Sequence, residues 1–201
     1  SGAYTVAPAQ VPGLANIKEI SAGFEHALAT DNVTVWAWGA NWGGQLGLGS
    51  IDAGSHPTPA AISGLADGVY KVAGGADHSL AIVNGATEIW AWGSNNYGQL
   101  GKGTAGNSYV PVLVPYQTGM GFTYGIDAGE HFSIMTGCSP STQICKAWTW
   151  GRNNYGQLGI GTADGSTHLL PVATNQEAWE VRAGQSHALV RTSASTALAW
   201  G

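Results

Sequence analysis

The second quarter of the chain alternates between short apolar runs and turn residues. Residues 69–73 alternate in polarity, residues 78–83 form an apolar run, and residues 88–92 form another. Between the last two runs, Asn84-Gly85 is a dipeptide preferred in two-residue hairpin turns, because both central positions need positive φ. No window has the apolar spacing of a helix, and glycine is frequent throughout. The pattern predicts three consecutive strands, the last two joined by a hairpin.

This pattern repeats along the whole chain. One strand ending occurs four times, as Trp36-Ala37-Trp38-Gly39, Trp90-Ala91-Trp92-Gly93, Trp148-Thr149-Trp150-Gly151 and Leu198-Ala199-Trp200-Gly201. The first three copies are followed by Gly-Gln-Leu-Gly, which contains Gln45, Gln99 and Gln157. A period of roughly 50 to 58 residues is typical of a solenoid or a propeller. We divide the single segment 1–201 into units of approximately 1–39, 40–93, 94–151 and 152–201.

Most of the repeated residues are predicted to be structural. Period-two alternation places both tryptophans of a strand on one face, which suits sheets that pack face to face. The glutamine amides between glycines are suited to satisfying nearby backbone groups. The tryptophans concerned are Trp36, Trp38, Trp90, Trp92, Trp148, Trp150 and Trp200.

A second repeated element precedes each tryptophan strand. It reads Ala22-Gly23-Phe24-Glu25-His26-Ala27-Leu28 in the first unit, and equivalent stretches carry His78 and His187. The third copy has Phe132 at the histidine position. Together with the Trp-x-Trp-Gly strand and the Gly-Gln-Leu-Gly-x-Gly loop, this element resembles the regulator-of-chromosome-condensation repeat family. The resemblance covers essentially the whole chain, and it implies a β-propeller, typically of seven blades with four strands each.

We therefore predict an all-β propeller with about four blades present. The chain is expected to belong to a larger ring of about seven blades, or to be completed by association of copies. A compact four-bladed ring and an open arc are the remaining alternatives. An uncovered terminal blade would expose a pairing edge, which favours self-association.

Charge and composition narrow the function. The net charge is −5, with 7 Lys plus Arg against 12 Asp plus Glu, so the basic surface that nucleic acid requires is not expected. No apolar run is long enough to span a membrane. The carboxylates form no obvious catalytic pair, so we predict a non-enzyme.

No cofactor or metal is predicted. Residues 101–106 fit the glycine pattern of a dinucleotide site, but no helix is expected after them and the other units carry parallel copies. A ring of His26, His78 and His187 could bind a metal in principle. Because equivalent residues on successive blades do not converge on one point, each is instead expected to hydrogen-bond a neighbouring loop.

The two cysteines bear on localisation. Cys138 and Cys145 lie in an insertion of the third hairpin, which we place at residues 136–146. A local disulfide is expected there, and it would indicate an oxidising compartment, hence an extracellular or cell-surface protein. Two free thiols in a cytoplasmic protein are the alternative.

Loop aromatics are the candidate interface. Trp42, Tyr97 and Tyr155 follow the Trp-x-Trp-Gly ending at one loop position, with Tyr109 nearby. If these aromatic side chains are exposed, they would suit a protein interface. The alternative is that they pack under the loop. We predict a non-catalytic protein-binding or assembly module, from a secreted or surface bacterial protein. A guanine-nucleotide exchange factor or intracellular adaptor is the first alternative, and an accessory propeller of a larger enzyme is the second.

Overall fold

The computed structural model describes residues 7–65, 68–115, 117 and 119–201. Within these residues the chain forms fifteen β-strands and no helix. The strands are β1 Glu19–Ala22, β2 His26–Thr30, β3 Val35–Asn41, β4 Asp52–Ala61, β5 Lys71–Gly74, β6 His78–Val83, β7 Glu88–Gly93, β8 Ser108–Leu113, β9 Ile126–Ala128, β10 Phe132–Cys138, β11 Cys145–Arg152, β12 Thr167–Glu177, β13 Glu180–Ala183, β14 Ala188–Arg191 and β15 Ala197–Trp200.

The strands form four separate antiparallel sheets, each built from consecutive strands. We call them blade 1 (β1 to β4), blade 2 (β5 to β8), blade 3 (β9 to β12) and blade 4 (β13 to β15). The first strands of consecutive blades lie side by side, β1 against β5, β5 against β9 and β9 against β13. This radial order of sheets confirms the predicted all-β propeller with four blades.

The sheets are offset from the repeat units drawn on the sequence. Blades 1 to 3 do not end at the Trp-x-Trp-Gly glycine, because a fourth strand follows in each. The third strand itself ends at Gly93 in blade 2 but continues to Asn41 in blade 1 and to Arg152 in blade 3. The pairing register with the fourth strand shifts just before Gly39. Gly39 has a φ of 110°, a conformation that glycine adopts without strain. Gly39 therefore marks a β-bulge within β3 and not the end of that strand.

Two hairpins differ from the sequence prediction. The second hairpin is present, but Val83 pairs with Glu88, so its loop has four residues and not two. In the third hairpin, β10 and β11 extend through most of the predicted insertion and leave a loop of residues 139–144. Cys138 and Cys145 are thus directly opposite each other at the strand ends, where they form a disulfide. The antiparallel pairing of β10 with β11, residue by residue, brings the two cysteines opposite each other. The sequence alone did not indicate this register.

The apolar core lies between the blades. Three clusters of buried side chains fill the three boundaries between consecutive blades. The second tryptophan of the strand is fully buried in the middle blades, at Trp92 and Trp150. Burying a large apolar side chain contributes roughly 1.5 to 3 kcal/mol, so each of these tryptophans stabilises the packing of one blade on the next.

Candidate protein-binding surface

In blades 1 to 3, the loop after the third strand is held by a buried asparagine. The side-chain oxygen of Asn95 accepts a hydrogen bond from the Leu100 amide at 2.9 Å, and its amide group donates to the Thr104 carbonyl at 2.8 Å. Asn41 and Asn153 make the equivalent bonds in blades 1 and 3. The sequence analysis missed these residues, although an asparagine stands four positions before each Gln of the repeat.

The repeated glutamine links this loop to the next blade. The Gln99 side-chain oxygen accepts from the Tyr97 amide at 2.9 Å, within its own loop. Its main-chain carbonyl accepts from the Trp150 indole N–H at 2.8 Å, which crosses to blade 3. The same crossing bond joins Gln45 to Trp92 and Gln157 to Trp200. The glutamine and the second tryptophan are thus structural partners across each boundary.

The first tryptophan of each strand has no such shared role. The Trp90 indole donates to Glu88 in its own strand, while Trp148 is buried and Trp36 is half-buried. Leu198 stands at this place in blade 4.

Two of the three repeated histidines, His26 and His78, also bridge blades. The Nε2 atom of His26 lies 2.8 Å from the Ser79 hydroxyl, and that hydroxyl is 2.8 Å from the Gln45 carbonyl. Because the serine hydrogen is donated to the carbonyl, the histidine nitrogen must carry the hydrogen of the other bond. Burial lowers the pKa of His26 to about 4. Burial, aided by the charges of His26 and His131, lowers the pKa of His78 to about 3.

The predicted interface residues divide into two groups. Tyr97 and Tyr155 occupy the same loop position, because each amide donates to the side chain of its Gln. In blade 1 that position is Gly43, so Trp42 lies one residue earlier than predicted. Tyr109 is in β8 and packs over Gly44, where it forms part of the boundary between blades 1 and 2. Tyr109 is therefore separate from the other three aromatic residues.

Tyr97 and Tyr155 belong to a continuous stack. The Tyr97 ring lies 4.6 Å from the His131 ring in a stacked arrangement that joins blades 2 and 3. The Arg152 guanidinium lies over Tyr97 at 5.0 Å and over Tyr155 at 5.7 Å. Cation–π contacts of this kind contribute about 0.5 to 2 kcal/mol each. Tyr155 remains 61% exposed, so the stack is fixed in place but still accessible.

One member of this stack, His131, lines a cavity of about 570 Å³. The turns between the first and second strands of all four blades line it, and they supply Phe24, Asp77, Glu130 and Gln185. Trp42 and His131 also line the cavity. We define the aromatic surface as Phe24, Trp42, Tyr97, His131, Arg152 and Tyr155.

The charge at the cavity is mostly negative. The carboxylates of Asp77 and Glu130 approach the His131 ring nitrogens at 3.9 and 3.6 Å. Glu25 is exposed on the equivalent turn of blade 1. Among the charged residues named on this surface, Arg152 is the one permanent cation. Aromatic faces beside carboxylates favour a cationic group of a partner.

Other site chemistries find no support in the part of the chain that the structure describes. No three His, Cys, Asp or Glu side chains are grouped there in a way that would hold a metal ion. The same residues contain no helix of the length and apolarity needed to cross a bilayer.

The radial sheets define this protein as a β-propeller, and sequence comparison identifies its type. The profile of the regulator of chromosome condensation (RCC1) repeat matches residues 34–82, 88–135 and 146–190, and a second profile of the same description matches residues 69–99. The chain therefore belongs to the RCC1 repeat family.

Its relatives are larger proteins. The chain is 32% identical over 191 residues to the ultraviolet-B receptor UVR8 of Arabidopsis thaliana, covering 90% of this chain and 40% of the receptor. It is 30% identical over 208 residues to the human E3 ubiquitin-protein ligase HERC2, covering 98% of this chain and 4% of the ligase.

Solved structures share the fold. Yeast RCC1 (Prp20), in its complex with Kap60, aligns with a TM-score of 0.77 and 23% identity over 95% of this chain and 45% of that one. Human WBSCR16 aligns with a TM-score of 0.76 and 23% identity over 92% of this chain and 47% of that one. The chain thus spans less than half the length of these proteins.

Proposed function

We propose that the chain is a non-catalytic protein-binding module whose contact face is the aromatic surface. The observation that carries the proposal is the stack of His131, Tyr97, Arg152 and Tyr155 beside the cavity. Tyrosine, tryptophan and arginine are the residues most enriched at binding hot spots. Their preorganisation across two blades lowers the conformational entropy lost on binding.

The partner is a protein segment with basic side chains. Asp77 and Glu130 line the cavity. Trp42 also lines it and is 48% exposed. A lysine or arginine side chain would meet carboxylates and an aromatic ring together. Protein binding by a protein that shares this fold has a precedent in Prp20, which one structure shows with Kap60 bound and another describes with its binding properties to Gsp1p and histones.

The proposal extends to an extracellular or cell-surface protein of bacterial origin. The support is the Cys138–Cys145 disulfide, because such bonds persist mainly in oxidising compartments. Mass spectrometry after alkylation of freshly isolated protein measures the thiols directly. We expect none to be alkylated; two alkylated cysteines would contradict this localisation.

Displayed peptides test the binding function. Two phage libraries of twelve-residue peptides, one enriched in Lys and Arg and one in Asp and Glu, are selected on the intact chain. Calorimetry then compares the selected peptides on the wild type, Tyr155→Ala and Trp42→Ala. The matched control is Tyr124→Ala, because Tyr124 is 51% exposed and precedes the first strand of blade 3, at the hairpin end of the blade.

We expect basic peptides to be selected, and their affinity to fall at least about tenfold in Tyr155→Ala and Trp42→Ala. The control should bind as the wild type does. Failure to select basic peptides, or equal loss in the control, would contradict the proposed surface.

A further inference from the structure

At each boundary between blades, the residue at the repeated histidine position of one blade faces the residue at the serine position of the next. The two residues of this pair change together from one boundary to another. Between blades 1 and 2 the pair is His26 with Ser79 at 2.8 Å, and between blades 2 and 3 it is His78 with Ser133 at 2.9 Å. Each serine hydroxyl also donates to the glutamine carbonyl of the preceding blade. The imidazole Nε2 and the serine hydroxyl therefore both have hydrogen-bond partners inside the boundary, whereas the buried Nδ1 of each histidine has none.

Between blades 3 and 4 both members of the pair are apolar. Phe132 replaces the histidine and Ala188 replaces the serine, and both are fully buried in one cluster. A single change would leave either an imidazole N–H without its acceptor or a serine oxygen without its histidine donor, although the serine could still donate to the glutamine carbonyl. A buried polar group without a hydrogen bond is costly, so the two changes belong together.

The two terminal faces expose the same positions. Ile20 of blade 1 is 73% exposed, whereas the equivalent Val72 of blade 2 is 7% exposed because blade 1 covers it. Leu189 of blade 4 is 46% exposed, whereas the equivalent Leu80 is fully buried. Both faces are thus built like the covered boundaries but have no blade against them.

The residues at the variable pair make these faces different. Blade 4 presents His187, whose ring packs against Gly184 as that of His26 packs against Gly23. Blade 1 presents Ala27 where the other histidines find a serine. If blade 4 packed on blade 1 in the usual way, His187 would meet Ala27, which has no hydroxyl to pair with the imidazole.

We propose that this residue pair selects neighbouring blades, and that the face of blade 4 is a docking site for a further RCC1-type blade with serine at this position. The face of blade 1 correspondingly takes a blade with an apolar residue. A second copy of this chain satisfies neither requirement. The chain spans 40% of UVR8 and 45% of Prp20, so related propellers contain the length for such additional blades.

Trp38 supports the same assignment. The equivalent Trp92, Trp150 and Trp200 each donate an indole N–H to the glutamine carbonyl of the preceding blade. Trp38 holds this place on blade 1 and is half-buried at the open face. A covering blade with a Gly-Gln-Leu-Gly loop would supply its acceptor.

A cycle of variants of the 201-residue chain tests the selection rule. Sedimentation equilibrium measures self-association of the wild type, His187→Phe, Ala27→Ser and the double variant. Each single change creates a matched pair for contact between blades 4 and 1, the first of the Phe132–Ala188 type and the second of the His26–Ser79 type. We expect each to strengthen self-association at least about tenfold, because it removes an unpaired buried group. The double variant recreates a mismatch and should return to the wild-type value.

A companion cycle inside the chain tests the rule where the boundary is already formed. His78→Phe and Ser133→Ala should each lower the unfolding temperature, and the double variant should recover most of the loss. The proposal would be overturned if the two losses of unfolding temperature in this cycle were additive. It would also be overturned if all four proteins of the first cycle associated equally, or if none of them associated. If the double variant associated most strongly, the proposal would also be overturned, because non-specific hydrophobic association of the added phenyl group would then explain the result.

Discussion

Acid should destabilise this propeller well above the pH at which ordinary carboxylates titrate. Burial lowers the pKa of His26 to about 4 and that of His78 to about 3, whereas an unfolded histidine titrates near 6.5. The unfolded chain therefore binds protons first as the pH falls. The stability contributed by the two neutral imidazoles is fully present above pH 6.5 and is lost as the pH falls below it.

The size of the loss follows from the two pKa values. At pH 5, an unfolded histidine is almost fully protonated while the folded one remains almost entirely neutral. The difference amounts to about 2 kcal/mol for each histidine, or roughly 4 kcal/mol for both. Because small domains are stable by roughly 5 to 15 kcal/mol, this is a large part of the total.

Urea unfolding followed by tryptophan fluorescence at pH 7, 6 and 5 measures this loss. The series stops at pH 5 because burial raises the pKa of Asp127, whose protonation in the folded state has the opposite effect on stability. The lowered pKa values of Asp31, Asp52, Asp164 and Glu180 place their titration below this range.

Two variants assign the effect to the buried histidines. The double variant His78→Phe with Ser133→Ala should lose about half of the pH dependence, because one of the two imidazoles is gone. The control Val33→Ala should retain the full dependence, because Val33 is exposed and has no titratable side chain. A free energy of unfolding that stays constant between pH 7 and 5 would refute the reasoning.

Two further comparisons use neighbouring or equivalent residues as controls. Asn95→Ala should lower the free energy of unfolding by roughly 2 to 3 kcal/mol, because it leaves the Leu100 amide and the Thr104 carbonyl without their partner. The control Asn96→Ala, at an exposed site, should change it by less than about 0.5 kcal/mol. Equal urea midpoints for the two variants would contradict the role of Asn95. Trp92→Phe removes the hydrogen bond to the Gln45 carbonyl and should lower the melting temperature, measured by calorimetry, by several degrees. Trp38→Phe, at the open face, should have little effect. The reverse order of melting temperatures would contradict the inter-blade bond.

Local patterns were sufficient to predict the strands. The apolar run at residues 78–83 and the turn at Asn84 became β6 and its hairpin, because both depend on neighbours within a few residues. The length of that turn was not predicted, since Ala86 also adopts positive φ and lengthens the loop. The disulfide partners were identified correctly as a pair, but their place at paired strand ends depends on a register that local pattern does not determine.

The candidate surface was only partly predictable. Tyr97 and Tyr155 were found from their repeat position, yet His131 and Arg152 had no repeated counterpart to draw attention to them. Their contact joins a loop of blade 2 to a turn and a strand of blade 3. Such a juxtaposition depends on how two blades pack, which the sequence of either repeat alone does not specify.

The blade boundaries explain why repeat position is an incomplete guide to environment. Leu80 and Leu189 are equivalent in sequence, but one is in the core and the other is at an open face. The residues that distinguish one boundary from another are not the recurrent ones; they are paired departures such as Phe132 with Ala188. Recurrence therefore specifies that blades stack, while paired departures specify which blades stack on each other. The mismatch of His187 with Ala27 follows from this rule and makes a ring closed by these four blades alone less stable than one completed by matched neighbours.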